Sequence, residues 1–228
     1  MPVIDALARV PLFVGLPHEA LEALGRQVRT RRTARGETIF HQGDPGDALY
    51  IVASGRVKIV LHGDLRDAAI VATLRRGDFF GELALLDGAE RSATAISIDA
   101  AELLVLPRER FLELVAEFPP IRDALLMALA HELRRITDHV AELHFLDITG
   151  RLAARLARLV DEQGMLADDG SLRLDGPLTQ GDLAAMVGCT RQSVNKVLGE
   201  FASDGLIRLE RDTIVVRDLP GLRQAARR

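Results

Sequence analysis

At 228 residues, 48% hydrophobic and 27% charged, the chain has a globular composition with room for one large or two modest domains, which excludes a disordered or fibrous class. Its single cysteine, Cys189, cannot form an intrachain disulfide or by itself hold an iron–sulfur cluster or a thiolate zinc site. The net charge of −4 is uneven: residues 145–228 carry 12 basic and 12 acidic side chains, so the acidity lies in residues 1–144 and the second part is neutral, compatible with a basic face for nucleic acid.

The opening MPVIDALARVPLF lacks a basic segment followed by a long apolar run and a cleavage site, and no stretch approaches about 18 apolar residues. A cytoplasmic protein with no membrane partner is expected. Residues 17–28, PHEALEALGRQV, read with the preceding Leu16, place Leu16, Ala20, Leu21, Leu24 and Val28 at spacings near 3.6 and predict a short amphipathic helix. From Arg29 to Leu106 the apolar runs are short (TIF, ALYIV, VKIVL, AAIVATL, ATAISI, AELLVL) and are punctuated by glycines. That rhythm predicts a β sandwich or barrel.

The pattern changes at Pro107. RERFLELVAEFP predicts a short helix, and a long one follows from Pro119 to about Leu143. Leu126, Leu129, Leu133, Ile136, Val140 and Leu143 alternate spacings of three and four, a heptad seam that asks for a second copy of the helix; packing on the chain's own strands is the alternative. FLDITGRLAARLARLV starts a further amphipathic helix with Asp147 or Thr149 as N-cap, so a short hinge is expected near 144–149.

LTQGDLAAMVGCTRQSVNKVLGEFASDGLI, residues 178–207, holds two helical patterns separated by a turn at Gly188. Thr179 and Thr190 are placed to cap them, which is helix-turn-helix grammar. On the second helix Val194, Val197, Leu198 and Phe201 fall on one side, and Arg191, Gln192, Asn195, Lys196 and Gly199 on the other. Arg can grip a guanine edge, Gln and Asn an adenine edge, and Lys guanine or phosphate. LIRLERDTIVVRD adds a hairpin wing, with Arg208, Arg211 and Arg217 as candidate phosphate contacts.

Four blocks in this order, RGETIFHQGDPGDALYIVASGRVKI, GELALL followed by ERSA, FLDITGR and VGCTRQSVNKVL, resemble the CRP/FNR family of bacterial regulators over nearly the whole chain. The resemblance implies an α+β protein: an N-terminal double-stranded β-helix (jelly roll) cyclic-nucleotide-binding domain at 1–118, a long dimerisation helix at 119–144, and a C-terminal winged helix-turn-helix at 145–228. It implies cyclic AMP or cyclic GMP as allosteric effector, no metal, a homodimer through the 126–143 helix, double-stranded DNA with a palindromic operator, and RNA polymerase as a further partner. Carried over by motif, Glu82 accepts the ribose 2′-hydroxyl, and Arg91 and Ser92 hold the cyclic phosphate. Leu74, Gly81, Leu83, Ala84 and Ala93 line the pocket, and Ile136 and Thr137 face the base. The implied DNA set is Thr179, Gln180, Thr190, Arg191, Gln192, Ser193, Asn195, Lys196 and Arg211.

Two positions depart from the family pattern. Ile136 and Thr137 stand where cyclic-AMP-responsive members carry a Thr followed by a Ser, which removes one hydroxyl at the base. Gln192 replaces the Glu usual after the recognition Arg, so the operator is expected to differ at that step. A regulator that is ligand-independent, or that answers another effector, is the main alternative. Glu82 and Arg91 could also form a purely structural ion pair across the roll. The six histidines form no i, i+4 pair that would suit a metal. An enzymatic reading lacks a base or metal at the phosphate, because Arg91 stabilises an anion without activating water.

Overall fold

A computed structural model describes residues 3–63, 68–167, 169–175, 179–210 and 213–227. The chain divides into two compact units, one ending at Leu133 and the other beginning at Arg134.

The first unit opens with α1 (Val3–Leu7), a 3-10 turn (Pro11–Phe13) and α2 (His18–Gln27). Eight strands follow: β1 (Arg29–Thr33), β2 (Thr38–Phe40), β3 (Ala48–Ser54), β4 (Val57–His62), β5 (Ala68–Leu74), β6 (Phe79–Phe80), β7 (Thr94–Ser97) and β8 (Ala101–Pro107), with α3 (Glu82–Asp87) between β6 and β7. They form two antiparallel four-stranded sheets, ordered β1-β8-β3-β6 and β2-β7-β4-β5.

The continuous apolar run of β3 follows from burial on both faces. Ala48, Tyr50 and Val52 join Val57, Phe80, Ala95 and Leu103 inside the roll, while Leu49 and Ile51 join Leu104, Leu106, Leu7, Phe13 and Phe111 beneath the helices. Strand β1, RTRRT, has no such pattern because it is an edge strand. Its register comes from polar contacts: Arg32 donates to Glu102 at 3.1 Å, Arg31 to the Ile39 carbonyl at 3.0 Å, and the buried Thr33 and Ser97 hydroxyls meet at 2.6 Å.

After α4 (Arg108–Glu117), the long helix α5 runs over Pro119–Phe145. Its Ile121 and Leu125 are buried, and Leu129 packs partly against the same core. The other seam residues are exposed: Leu126 58%, Leu133 66%, Ile136 50%, Val140 48% and Leu143 42%. The seam is thus largely uncovered by the chain's own strands, and Leu129 alone of the six turns toward the core of the first unit.

Leu146 and Asp147 connect α5 to α6 (Ile148–Gln163), and Asp147 caps it by accepting from the Gly150 N–H at 2.7 Å. The second unit continues with β9 (Met165–Leu166), β10 (Leu172–Asp175), α7 (Gln180–Val187), α8 (Arg191–Ser203), β11 (Ile207–Leu209), β12 (Thr213–Val216) and α9 (Leu219–Ala225). Its sheet order is β11-β12-β10-β9. Leu152, Leu156, Leu183, Val187, Val194, Leu198, Phe201, Ile214 and Val216 form its core. Among the described residues no helix is long and apolar enough to cross a membrane.

Candidate functional site

The stretch GELALLDG folds as one short helix between two left-handed glycines, Gly81 at φ 85° and Gly88 at φ 75°. The segment after it returns through Arg91, whose main chain is tied to the 43–47 loop: its N–H donates to the Asp44 carbonyl at 2.8 Å and its carbonyl accepts from Gly43 at 2.9 Å. The side chain goes inward and is only 3% exposed. Nη1 donates to the Gly81 carbonyl at 2.7 Å, and Nη2 to the Ala48 carbonyl at 2.8 Å and to Asp47 Oδ1 at 3.3 Å. The guanidinium carbon lies 4.4 Å from the centre of the Phe40 ring and 5.6 Å from that of Tyr50.

This cation is under-compensated. Burying a charge costs several kcal/mol unless it is paired and fully hydrogen-bonded, yet Arg91 Nε is buried without a hydrogen-bond partner. Among the described residues the carboxylate paired with it is that of Asp47, whose side chain is 82% exposed, where water screens the pair. Glu82 does not supply the missing charge: among the described residues no Glu82–Arg91 ion pair forms, so the structural-pair alternative is not realised. Burial pushes the Glu82 carboxyl above its ordinary range; its own backbone hydrogen bond opposes this, nearby Glu132 adds to it, and Arg91 opposes it.

Gly81 is obligatory for this geometry. A Cβ there would stand 2.5 Å from Arg91 Nη1, on a backbone that residues with side chains rarely adopt. Gly81→Ala is therefore expected to lower unfolding free energy by about 1–3 kcal/mol in urea denaturation and to displace the guanidinium. An unchanged midpoint would show that the loop yields freely.

The other candidate residues of the first unit differ in exposure. Ala84 (3%) and Ala93 (7%) are buried, and Leu74 packs partly on the inner roll core. Ser92 is exposed, and Leu83, expected as a wall, is 45% exposed. Ile136 and Thr137 are exposed positions of α5 and belong to the second unit. Sequence reasoning missed Phe40, Tyr50 and Asp47, whose roles arise from strand register and loop closure rather than from spacing.

In the second unit, Thr179 and Asp182 form a reciprocal capping box at α7, Gly188 turns the chain at φ 68°, and Thr190 caps α8 by accepting from Ser193 N–H at 3.1 Å. Thr190 and Ser193 hydroxyls also meet at 2.9 Å, so both are engaged in the cap. Val194, Val197, Leu198 and Phe201 are buried, which leaves Arg191, Gln192, Asn195, Lys196 and Gly199 exposed on the outward face, while Gln180 is half-buried. Arg217 is exposed, Arg208 is engaged by Glu210, and Arg211 lies outside the described residues. Burial pushes the Cys189 thiol up, and Arg151 opposes this. Among the described residues no group of three or more His, Cys, Asp or Glu could hold a metal ion.

Residues 30–118 match the family described as "Cyclic nucleotide-binding domain", and residues 150–225 match the "Crp-like helix-turn-helix domain". A roll of the first kind joined to a helix-turn-helix of the second defines a transcription regulator with a cyclic-nucleotide-binding domain and a DNA-binding domain. The chain is 36% identical to the "CRP-like cAMP-activated global transcriptional regulator" of Mycobacterium tuberculosis, over 98% of this chain and 99% of the relative. It is 36% identical to the "Cyclic AMP receptor protein" of Thermus thermophilus, over 95% and 96%. Among solved structures it is similar to the c-di-GMP responsive global regulator CLP of Xanthomonas campestris, with a TM-score of 0.78 and 27% identity over 88% of this chain and 99% of that one. The chain belongs to the CRP/FNR family.

Proposed function

We propose that the protein is a homodimeric, cytoplasmic transcription regulator that binds a palindromic operator in response to a cyclic nucleotide, cyclic AMP foremost, with RNA polymerase as a further partner. The observation that carries the effector is Arg91, a buried and under-compensated guanidinium fixed by two backbone carbonyls. A cyclic phosphate supplies the missing anion, and guanidinium matches its oxygens in charge and shape. Ser92 adds a hydroxyl to the same phosphate. Glu82 accepts the ribose 2′-hydroxyl, a bond that offsets the cost of its burial when ionised. Gly81, Ala84 and Ala93 allow close approach, Leu74 and Leu83 bound the sugar and base, and base choice falls to Ile136 and Thr137. Isothermal titration of the full-length protein is expected to show saturable binding of cyclic AMP, tighter than that of cyclic GMP. Absence of both isotherms overturns the proposal.

Nucleotide binding then biases the α5 seam between two arrangements, and the connection at 144–149 passes the bias to the paired recognition helices, whose half-sites stand about 34 Å apart. Arg191, Gln192, Asn195 and Lys196 read bases, with Thr179, Gln180, Thr190, Ser193 and Arg211 positioning the unit on phosphate. Arg191→Ala is expected to cost about 1–3 kcal/mol at one operator base pair, seen in competition binding against operators mutated base by base. Uniform weakening on every sequence would make Arg191 a phosphate contact.

A second reading, a regulator independent of cyclic mononucleotides or answering a different effector, is favoured by Ile136, which lacks the hydroxyl expected at the base. Operator affinity unchanged by saturating cyclic AMP and cyclic GMP selects it.

A further inference from the structure

The wing carries a feature that the recognition helix does not explain. Arg173 on β10 and Arg208 on β11 are both in register with Val215 on β12, so the three side chains form one row across the sheet. Val215 is fully buried although its neighbours Ile214 and Val216, not Val215, enter the core of the unit. The row therefore lies on the outer face, with the two arginines flanking an apolar residue. Two guanidiniums brought to one row repel each other unless an anion lies between them.

Glu210 is that anion. Its Oε1 accepts from Arg208 Nη2 at 2.8 Å and Nε at 3.0 Å, and its Oε2 faces Arg173 Nη2 at 3.2 Å. The Glu210 N–H donates to the Thr213 carbonyl at 2.9 Å, which holds the residue where the wing hairpin closes. One carboxylate thus spreads its two oxygens over two arginines, the arrangement a phosphodiester makes with the same groups. Arg173, Glu210 and Arg208 side chains remain 36%, 33% and 42% exposed, so the pairs sit in water, where such bridges contribute little and exchange readily.

We propose that Arg173 and Arg208 form a phosphodiester-binding clamp on the wing that Glu210 occupies in the free protein, so that Glu210 limits sequence-independent DNA binding. The clamp rests on DNA binding by the winged unit. DNA phosphate must displace the carboxylate before the arginines contribute. Glu210 thereby lowers affinity for any duplex and leaves a larger share of discrimination to the outward face of α8.

The test measures binding of the full-length protein to a non-operator duplex by fluorescence anisotropy between about 50 and 200 mM KCl. Glu210→Gln is expected to tighten binding roughly fivefold at the low-salt end and to steepen the slope of log K against log salt by about 0.9 for each phosphate gained. Glu210→Ser, with the same charge change and a smaller side chain, is expected to move the same way. Adding Arg173→Ala and Arg208→Ala to Glu210→Gln is expected to return both affinity and slope to wild type or below. Unchanged or weaker binding in both single variants overturns the clamp, as does a gain that survives loss of both arginines. A wild-type protein that binds no duplex at any salt overturns the DNA reading together with the clamp, a result distinct from either.

Discussion

Arg91→Ala is expected to weaken cyclic-nucleotide binding by at least about 100-fold, because two charge-assisted hydrogen bonds of about 1.5–3 kcal/mol each are lost with the buried cation at the site. The fold should survive. The variant leaves the Gly81 and Ala48 carbonyls without their donor, at about 1–3 kcal/mol for each group left unsatisfied, but it also removes a charge whose carboxylate partner, Asp47, is exposed to water. These terms oppose, so the urea midpoint should fall modestly while the calorimetric isotherm vanishes. Arg91→Lys separates charge from shape: it keeps the cation but cannot span two carbonyls and a phosphate, and an intermediate affinity is expected. Nucleotide affinity that survives in Arg91→Ala would leave Arg91 a structural residue pinning the 43–47 loop to α3.

The difference between what the sequence shows and what it hides follows burial. Strands β3 and β8 are legible because burial on both faces writes nearly unbroken apolar runs, and α7 and α8 are legible because Thr179, Gly188 and Thr190 each do a local task with one residue type. Strand β1 carries no apolar signal, since it is held by polar contacts, to Glu102 and Ser97 far away in the chain and to the nearby Ile39 carbonyl. The same holds at the site. Glu82 and Arg91 stand out as a motif, but apart from Gly81 the residues that hold Arg91 come from β2, β3 and the loop between them, brought there by pairing. The wing shows the sharpest contrast: Arg208 reads as a phosphate contact until Glu210 is seen to occupy it. Sequence places charges along the chain, whereas register decides which of them are already spent on one another.

Leu133→Asp is expected to convert the protein to monomer at micromolar concentration in sedimentation equilibrium and to weaken operator binding by about 100-fold or more. Leu133 is the most exposed seam residue, and with Leu126, Ile136, Val140 and Leu143 it forms an apolar stripe along α5. Burying such side chains against a second copy stabilises by about 1–2 kcal/mol each, enough across both helices to offset the entropy of association. In a parallel pair about a two-fold axis each seam residue meets its own copy, so one substitution sets two carboxylates face to face in an apolar seam. Monomers still present an intact recognition face but bind half-sites independently, which removes the gain from linking them. Arg91→Ala supplies the contrast, since it should lose nucleotide and remain a dimer. A Leu133→Asp protein that stays dimeric would move the interface off this stripe, and a monomer that keeps full operator affinity would show that one recognition helix suffices.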